Sequence, residues 1–277
     1  MTLEDHAGDV VRKARMMGDI PAADSAAAAG LSPEALAEFE SGGVPPEGMD
    51  FVGMGRRLDL DGAKLRTVAN GWLPVPVKTE VWRQFRMITT AGNGMTVNAF
   101  LVWDESTKDA ALFDTGFDDG PIVSEIERHG LRLRHIFITH GHGDHVEALE
   151  PLRTRYPEAR PHANAKGVPA PSRNQPGEIV AVGGLRIAHR ETPGHAEDGV
   201  TYVVTGFPGG APAIAVVGDA IFAGSIGGAP GKGPLAKGKV REEILSLPGP
   251  TLICPGHGPL TTVAEQRAIN PFFPGLG

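Results

Sequence analysis

Between Thr139 and His145 the chain reads Thr-His-Gly-His-Gly-Asp-His, which sets three imidazoles and a carboxylate within six residues, His140 to His145. His140 and His142, two apart in a glycine-punctuated loop, can aim at one cation, while Asp144 and His145 at the start of a following helix can serve a second. Gly141 and Gly143 let the backbone turn tightly enough for both. Neutral imidazole and carboxylate are ligands of zinc, manganese and iron, and a catalytic site keeps one position open for water. Three more turns carry matching residues: Thr192-Pro193-Gly194-His195, Gly218-Asp219 and Pro255-Gly256-His257-Gly258. Five of the ten histidines thus fall in turns that a fold would have to bring together. The other five, His6, His129, His135, His162 and His189, read as surface or hydrogen-bonded structural residues. The single cysteine, Cys254, excludes an intramolecular disulfide and a cysteine-based zinc site, so any metal rests on His and carboxylates.

Those turns need rigid elements behind them. From about residue 80 onward, short β-rich runs alternate with helical segments, with strands expected over 99–103, 110–113, 135–138, 185–188, 200–204, 214–217 and 251–254. The candidate ligands fall just past the ends of such runs, where loops on a rigid sheet favour chemistry. Two layers of sheet with outer helices fit this pattern. The first 75 residues differ. They are rich in alanine and predict helices over 9–17, after Pro21, from Ser32 as N-cap with Pro33 at the first helical position to Gly42-Gly43, and over 63–68. A linker is expected over 71–76, giving a helical module at 1–75 and a catalytic domain at 80–277. Because every candidate ligand lies beyond residue 75, removal of the module would be expected to leave metal loading intact.

Composition narrows the partners. A net charge of −7 disfavours nucleic acid and anionic membranes, which need a concentrated positive face. No apolar run approaches the ~20 residues that span a bilayer, and the acidic start, Leu3-Glu4-Asp5, lacks the features of a secretory signal, so a cytoplasmic location is the default. A small-molecule substrate is the expectation.

The ordered set His140, His142, Asp144, His145, His195, Asp219 and His257 resembles the metallo-β-lactamase superfamily, whose motif is His-x-His-x-Asp-His followed by His, Asp and His. The resemblance covers roughly residues 80 to 277 and implies an α/β fold, the αββα sandwich of that family, here with a small N-terminal all-helical domain. It implies that His140, His142 and His195 hold a first metal and Asp144, His145 and His257 a second, with Asp219 bridging and Asp144 and Asp219 as the catalytic carboxylates. Two zinc ions are implied, with iron or manganese as alternatives. Asp114-Thr115-Gly116 is similar to a family turn near the site; Asp114 either orients a ligand histidine or is an ordinary turn carboxylate.

Gly218 to Gly227, Pro255 to Thr262 and Asn270-Pro271-Phe272 resemble the glyoxalase II-like hydrolases of short bacterial type. This implies cleavage of a thioester or related ester by a metal-bound hydroxide, available near neutral pH because a metal brings the pKa of water from 15.7 to about 7. Gly228 stands where that branch usually carries Arg, and the chain ends soon after Asn270, without a glutathione-binding helical domain. The run 227–234 reads as a flexible connector or as a substrate loop with Lys232 on an anionic group. A mononuclear-iron persulfide dioxygenase is the enzyme alternative, ahead of a lactonase. Residues 30–42 resemble the recognition-helix region of phage-repressor-type helix-turn-helix domains, which makes a DNA-binding regulator with a metal-binding body the rival from another class. Charge opposes it: twelve acids against seven bases leave the module at −5, and Glu34, Glu38 and Glu40 stand with no Lys or Arg where groove contacts need donors. Leu31, Leu36 and Phe39 then read as packing core or as a contact for a homo-oligomer.

Overall fold

The computed structural model describes residues 2–165 and 168–276. Helices α1 (Ala7–Met17), α2 (Ala22–Ala28), α3 (Pro33–Gly42), α4 (Phe51–Leu58) and α5 (Gly62–Ala69) come first. The caps are those the sequence suggests: the Ser32 side chain accepts from Ala35 N, and Gly43 closes α3 with a left-handed backbone, φ +72°. Helix α4, which the sequence reading did not anticipate, is started by Asp50 accepting from Val52 N and Gly53 N.

Strands β1 (Phe85–Gly92), β2 (Met95–Trp103), β3 (Asp109–Phe113), β4 (Arg132–Phe137) and β5 (Arg160–His162) form one sheet in sequential order. Helices α6 (Gly120–His129), α7 (Gly143–Val146) and α8 (Leu149–Arg155) are interleaved with them. Strands β6 (Ile179–Val182), β7 (Leu185–Glu191), β8 (Val200–Thr205), β9 (Ile214–Gly218), β10 (Leu252–Pro255) and β11 (Thr261–Thr262) form the second sheet, ordered β11-β10-β9-β8-β7-β6. Helices α9 (Gly233–Lys239) and α10 (Val263–Ile269) complete the fold. All seven strands expected from sequence are present; β1, β5, β6 and β11 were not anticipated.

Strand periodicity sorts the side chains into three cores. Between the sheets, Phe100, Val102, Phe113 and Phe137 meet Tyr202, Val204, Val216 and Cys254. On the outer face of the first sheet, Leu101, Trp103 and Leu112 pack on Ile122 and Ile126 of α6 and Leu152 of α8. On the outer face of the second, Val203, Ala215, Val217 and Ile253 pack with Val10 and Val11 of α1, Leu36 and Phe39 of α3, Met54 of α4 and Leu65 of α5. The four layers are thus helix, sheet, sheet, helix, and the N-terminal helices supply much of the last. The helices at 1–75 therefore share one core with the second sheet. Deleting them would strip an apolar face off the second sheet, at about 25 cal/mol for each Å² exposed. Leu36 and Phe39 are internal to this core.

Polar ties reinforce that seam. Lys64 Nζ donates to the carbonyls of Arg267 (2.6 Å) and Phe273 (3.0 Å), and Arg15 forms a two-pronged bond to Glu40, both distances 2.8 Å, which joins α1 to α3. His6 caps α1 by accepting from Asp9 N, His129 stacks on Trp103, and His135 pairs with His162, which are structural roles for four of the five histidines set aside above. No described helix is long and apolar enough to cross a membrane.

Candidate metal centre

Strands β3 and β4 run parallel in one sheet, and β9 and β10 run parallel in the other. Their C-terminal ends open onto one edge of the sandwich. Asp114 follows β3, the 139–145 loop follows β4, Asp219 follows β9 and His257 follows β10, while His195 follows β7. The structure brings all seven candidate ligands together there. The ligand atoms of His140, His142 and His195 lie within 4.8 Å of one another, as do those of Asp144, His145 and His257, and those of His140, His145 and Asp219.

Hydrogen bonds on the far side of each ring fix which nitrogen faces inward. A carbonyl can only accept, so His195 Nδ1 donates to Gly228 O (3.0 Å) and His257 Nδ1 to Thr96 O (2.6 Å). His145 Nδ1 donates to Asp114 Oδ2 at 2.8 Å. Thr139 Oγ1 spends its hydrogen on Asp114 Oδ2 (2.8 Å) and is left to accept from His140 Nδ1 (3.1 Å). Four imidazoles therefore turn Nε2 toward the shared space, where each ring offers a lone pair once its second proton is displaced. His142 adds Nδ1, 3.0 Å from both His140 Nε2 and His195 Nε2. Three imidazole nitrogens so close have too few hydrogens to satisfy each other, and a cation among them removes the conflict.

The carboxylates complete the pattern. Asp219 Oδ2 lies 3.6 Å from His195 Nε2 and 3.5 Å from His257 Nε2, facing one ring of each group. Asp144 Oδ2 is 3.1 Å from His257 Nε2. Asp219 Oδ1 and His145 Nε2 are 3.3 Å apart and buried, yet among the described residues neither has a hydrogen-bond partner. Buried polar atoms are seldom left so, because each costs about 1–3 kcal/mol. The residues present fit a metal: a cation between them would satisfy both.

The local field agrees. Burial opposes a charge on His145, but Asp114 and Asp219 overcome it and raise its pKa to about 10. Burial likewise opposes the Asp219 charge, but His145 and His257 hold its carboxyl below the usual range. Burial, then the charge of His145, pushes His140 down to about 2. Positive charge is thus welcome at one point between the carboxylates, and further protons are refused around it. Gly256 makes the close approach possible, since a Cβ there would sit 2.4 Å from Asp219 Oδ1 and 2.5 Å from His145 Cε1.

The metallo-beta-lactamase superfamily profile matches residues 92–261. The chain belongs to this superfamily. A hydroxyacylglutathione hydrolase, GloC of Haemophilus influenzae, is 29% identical over 201 residues, covering 64% of this chain and 92% of the relative. The human mitochondrial persulfide dioxygenase ETHE1 is also 29% identical, over 181 residues, 62% of this chain and 69% of the relative. The crystal structure of the BLEG-1 B3 metallo-beta-lactamase is similar with a TM-score of 0.57 and 25% identity, over 69% of this chain and all of that one. The superfamily profile begins after the N-terminal helices.

Two groups at the centre are invisible in the sequence. The carbonyls of Gly228 and Thr96 orient two rings, yet a backbone carbonyl leaves no mark in a residue code. Asp114, 1% exposed, proves to orient His145 and to hold Thr139 by both its N (2.7 Å) and Oγ1. Lys232, weighed as a substrate contact, pairs with Glu197 at 3.2 Å. A cleft of about 430 Å³ opens beside His142, lined also by Gly141, Asn164, Ala165, Glu197 and Asp198.

Proposed function

We propose that this protein is a metal-dependent hydrolase that cleaves a thioester or related ester, in which His140, His142 and His195 would hold one zinc ion, Asp144, His145 and His257 would hold a second, and Asp219 would serve both. The observation that carries the reading is the convergence of two groups of ligand atoms on the two sides of one buried carboxylate. When bound, the metals supply Lewis acidity for the carbonyl and a water acidic enough to ionise near neutral pH. The chain's own residues do the rest. His140, His145, His195 and His257 hold their donor nitrogens in place through bonds made on the opposite ring edge. Asp219, buried and kept ionised, fixes the spacing of the two groups. Asp144, the more exposed carboxylate with 18% of its side chain accessible, takes and returns a proton at the oxygen turned away from His257. The cleft beside His142 admits the acyl group.

GloC, a hydroxyacylglutathione hydrolase by name, supports the thioester. The equal identity to a persulfide dioxygenase gives a second reading, with one iron on two His and an Asp. Against it stands the group Asp144, His145 and His257, which a single ion would leave unused. Elemental analysis of purified protein, paired with assays on thioesters, lactones and β-lactams, decides. Two zinc equivalents with thioester cleavage support the hydrolase; one iron with thiol-dependent oxygen uptake replaces it.

A further inference from the structure

Lys13 lies on the second turn of α1, more than 120 residues from the nearest candidate ligand in sequence, and its side chain is only 21% exposed. A half-buried ammonium needs partners. Its Nζ bonds Asp5 Oδ2 at 2.5 Å and the carbonyl of Ile226 at 3.2 Å, and it sits 5.0 Å from the centre of the Phe222 ring, a cation–π arrangement. Phe222 and Ile226 belong to the segment that leaves β9, residues 219 to 228. That segment meets three ligands: Asp219 begins it, Phe222 packs edge-on against His257 with ring centres 6.0 Å apart, and the Gly228 carbonyl takes the Nδ1 hydrogen of His195. From the opposite side, Gln266 Oε1 accepts from Gly224 N (3.0 Å) and Asn270 Nδ2 donates to Ser225 O (2.8 Å), both side chains fully buried. The segment is therefore clamped between α10 and α1, and Lys13 is the jaw on the α1 side.

We propose that Lys13, fixed by Asp5, is a positioning residue for the metal centre, so that the N-terminal helices set metal affinity although they supply no ligand. This rests on the metal reading above but not on any substrate. Without the ammonium, the Ile226 carbonyl and the Phe222 face lose their tie, and Gly228 and Asp219 gain freedom at the two ends of the segment. Outer hydrogen-bond partners of metal ligands are worth roughly 10–100-fold in affinity when removed; Lys13 acts one step further out, so about tenfold is expected.

The test measures zinc affinity of the whole protein by chelator competition, with the visible spectrum of the cobalt-loaded form. Lys13→Met should weaken zinc binding about tenfold and alter the cobalt spectrum, and Lys13→Arg should restore most of both. Lys64→Met is the control, since Lys64 ties the same helices to the body without a bond to the 219–228 segment; it should lower the melting temperature and leave zinc affinity unchanged. Should Lys13→Met fail to fold, Asp5→Asn carries the test, with several-fold weaker zinc binding expected. Wild-type affinity in the Lys13 or Asp5 variants, or an equal loss in Lys64→Met, overturns the positioning role while the metal reading stands. No zinc uptake by the wild-type protein overturns both.

Discussion

Replacing Asp114 by Asn keeps the shape of the side chain and removes its charge, at a position where both are in use. Asp114 accepts three bonds, from Thr139 N (2.7 Å), Thr139 Oγ1 (2.8 Å) and His145 Nδ1 (2.8 Å). An amide has one acceptor and two hydrogens. With its oxygen toward Thr139 N, its NH2 faces His145 Nδ1, and that ring must move its proton to Nε2, the atom aimed at the metal space. Turned over, the NH2 meets the Thr139 amide hydrogen instead. In the first orientation Thr139 Oγ1 is also released from donating and can point its hydrogen at His140 Nδ1, reversing a second ring. Both reversals convert a ligand lone pair into a donor. The expected cost is 10–100-fold in zinc affinity, about 1.4–2.7 kcal/mol. Because His145 loses its only outer partner and belongs to the group with Asp144 and His257, that equivalent of zinc should weaken most, and the group of His140, His142 and His195, where Thr139 Oγ1 can still accept from His140, should weaken less. Chelator competition with stoichiometry measured at each step resolves the two, and the melting temperature of the metal-free variant separates folding from binding. Two zinc equivalents bound as tightly as in the wild type would refute the account of how the imidazoles are oriented.

Further outcomes follow from the same geometry. His142→Ala and Asp219→Ala should each reduce thioester cleavage at least about a thousandfold in a folded protein, with Asp219→Ala losing metal from both groups and exposed His142→Ala from one; full activity in either variant contradicts the ligand assignment. Away from the centre, burial first, and then neighbouring His135 and Arg160, pushes His162 down to about 3. The unfolded chain, with an ordinary His pKa of about 6.5, binds this proton earlier than the native one. Stability from this group is therefore complete above about pH 6.5 and is lost as pH falls toward 3, by up to about 1.4 kcal/mol per pH unit. His162→Phe, which keeps a flat ring against Phe137, should flatten the acid limb of melting temperature against pH in metal-free protein; an unchanged limb would show that the native site takes up the proton freely. The acidic N-terminal helices should show no binding to duplex DNA in fluorescence anisotropy at physiological salt, and salt-sensitive binding to a defined sequence would reverse that view.

What the sequence decided by itself was local. The spacing His140, His142, Asp144, His145 is set within two turns of chain, so the residue code alone exposes it, and apolar runs ending in Gly-rich turns mark β3, β4, β9 and β10 because strand burial repeats along the same chain that makes the ligand. Ser32 with Pro33 and Gly43 fix the ends of α3 by bonds to their own neighbours. Helix α4 was hidden because Gly53 and Gly55 argue against helix, and their reason is tertiary: a Cβ on Gly53 would lie 2.1 Å from the Ala28 carbonyl, and one on Gly55 2.7 Å from the Leu60 carbonyl. The short strands β5 and β11 exist only through the neighbours they pair with. Tertiary structure alone decided that Asp114 serves His145, that Gly228 and Thr96 turn two rings, and that Lys13 reaches Ile226 across 213 residues of sequence. Those roles depend on where another segment comes to rest. A pattern read along the chain finds the donors of a site, and packing across the chain supplies the bonds that aim them.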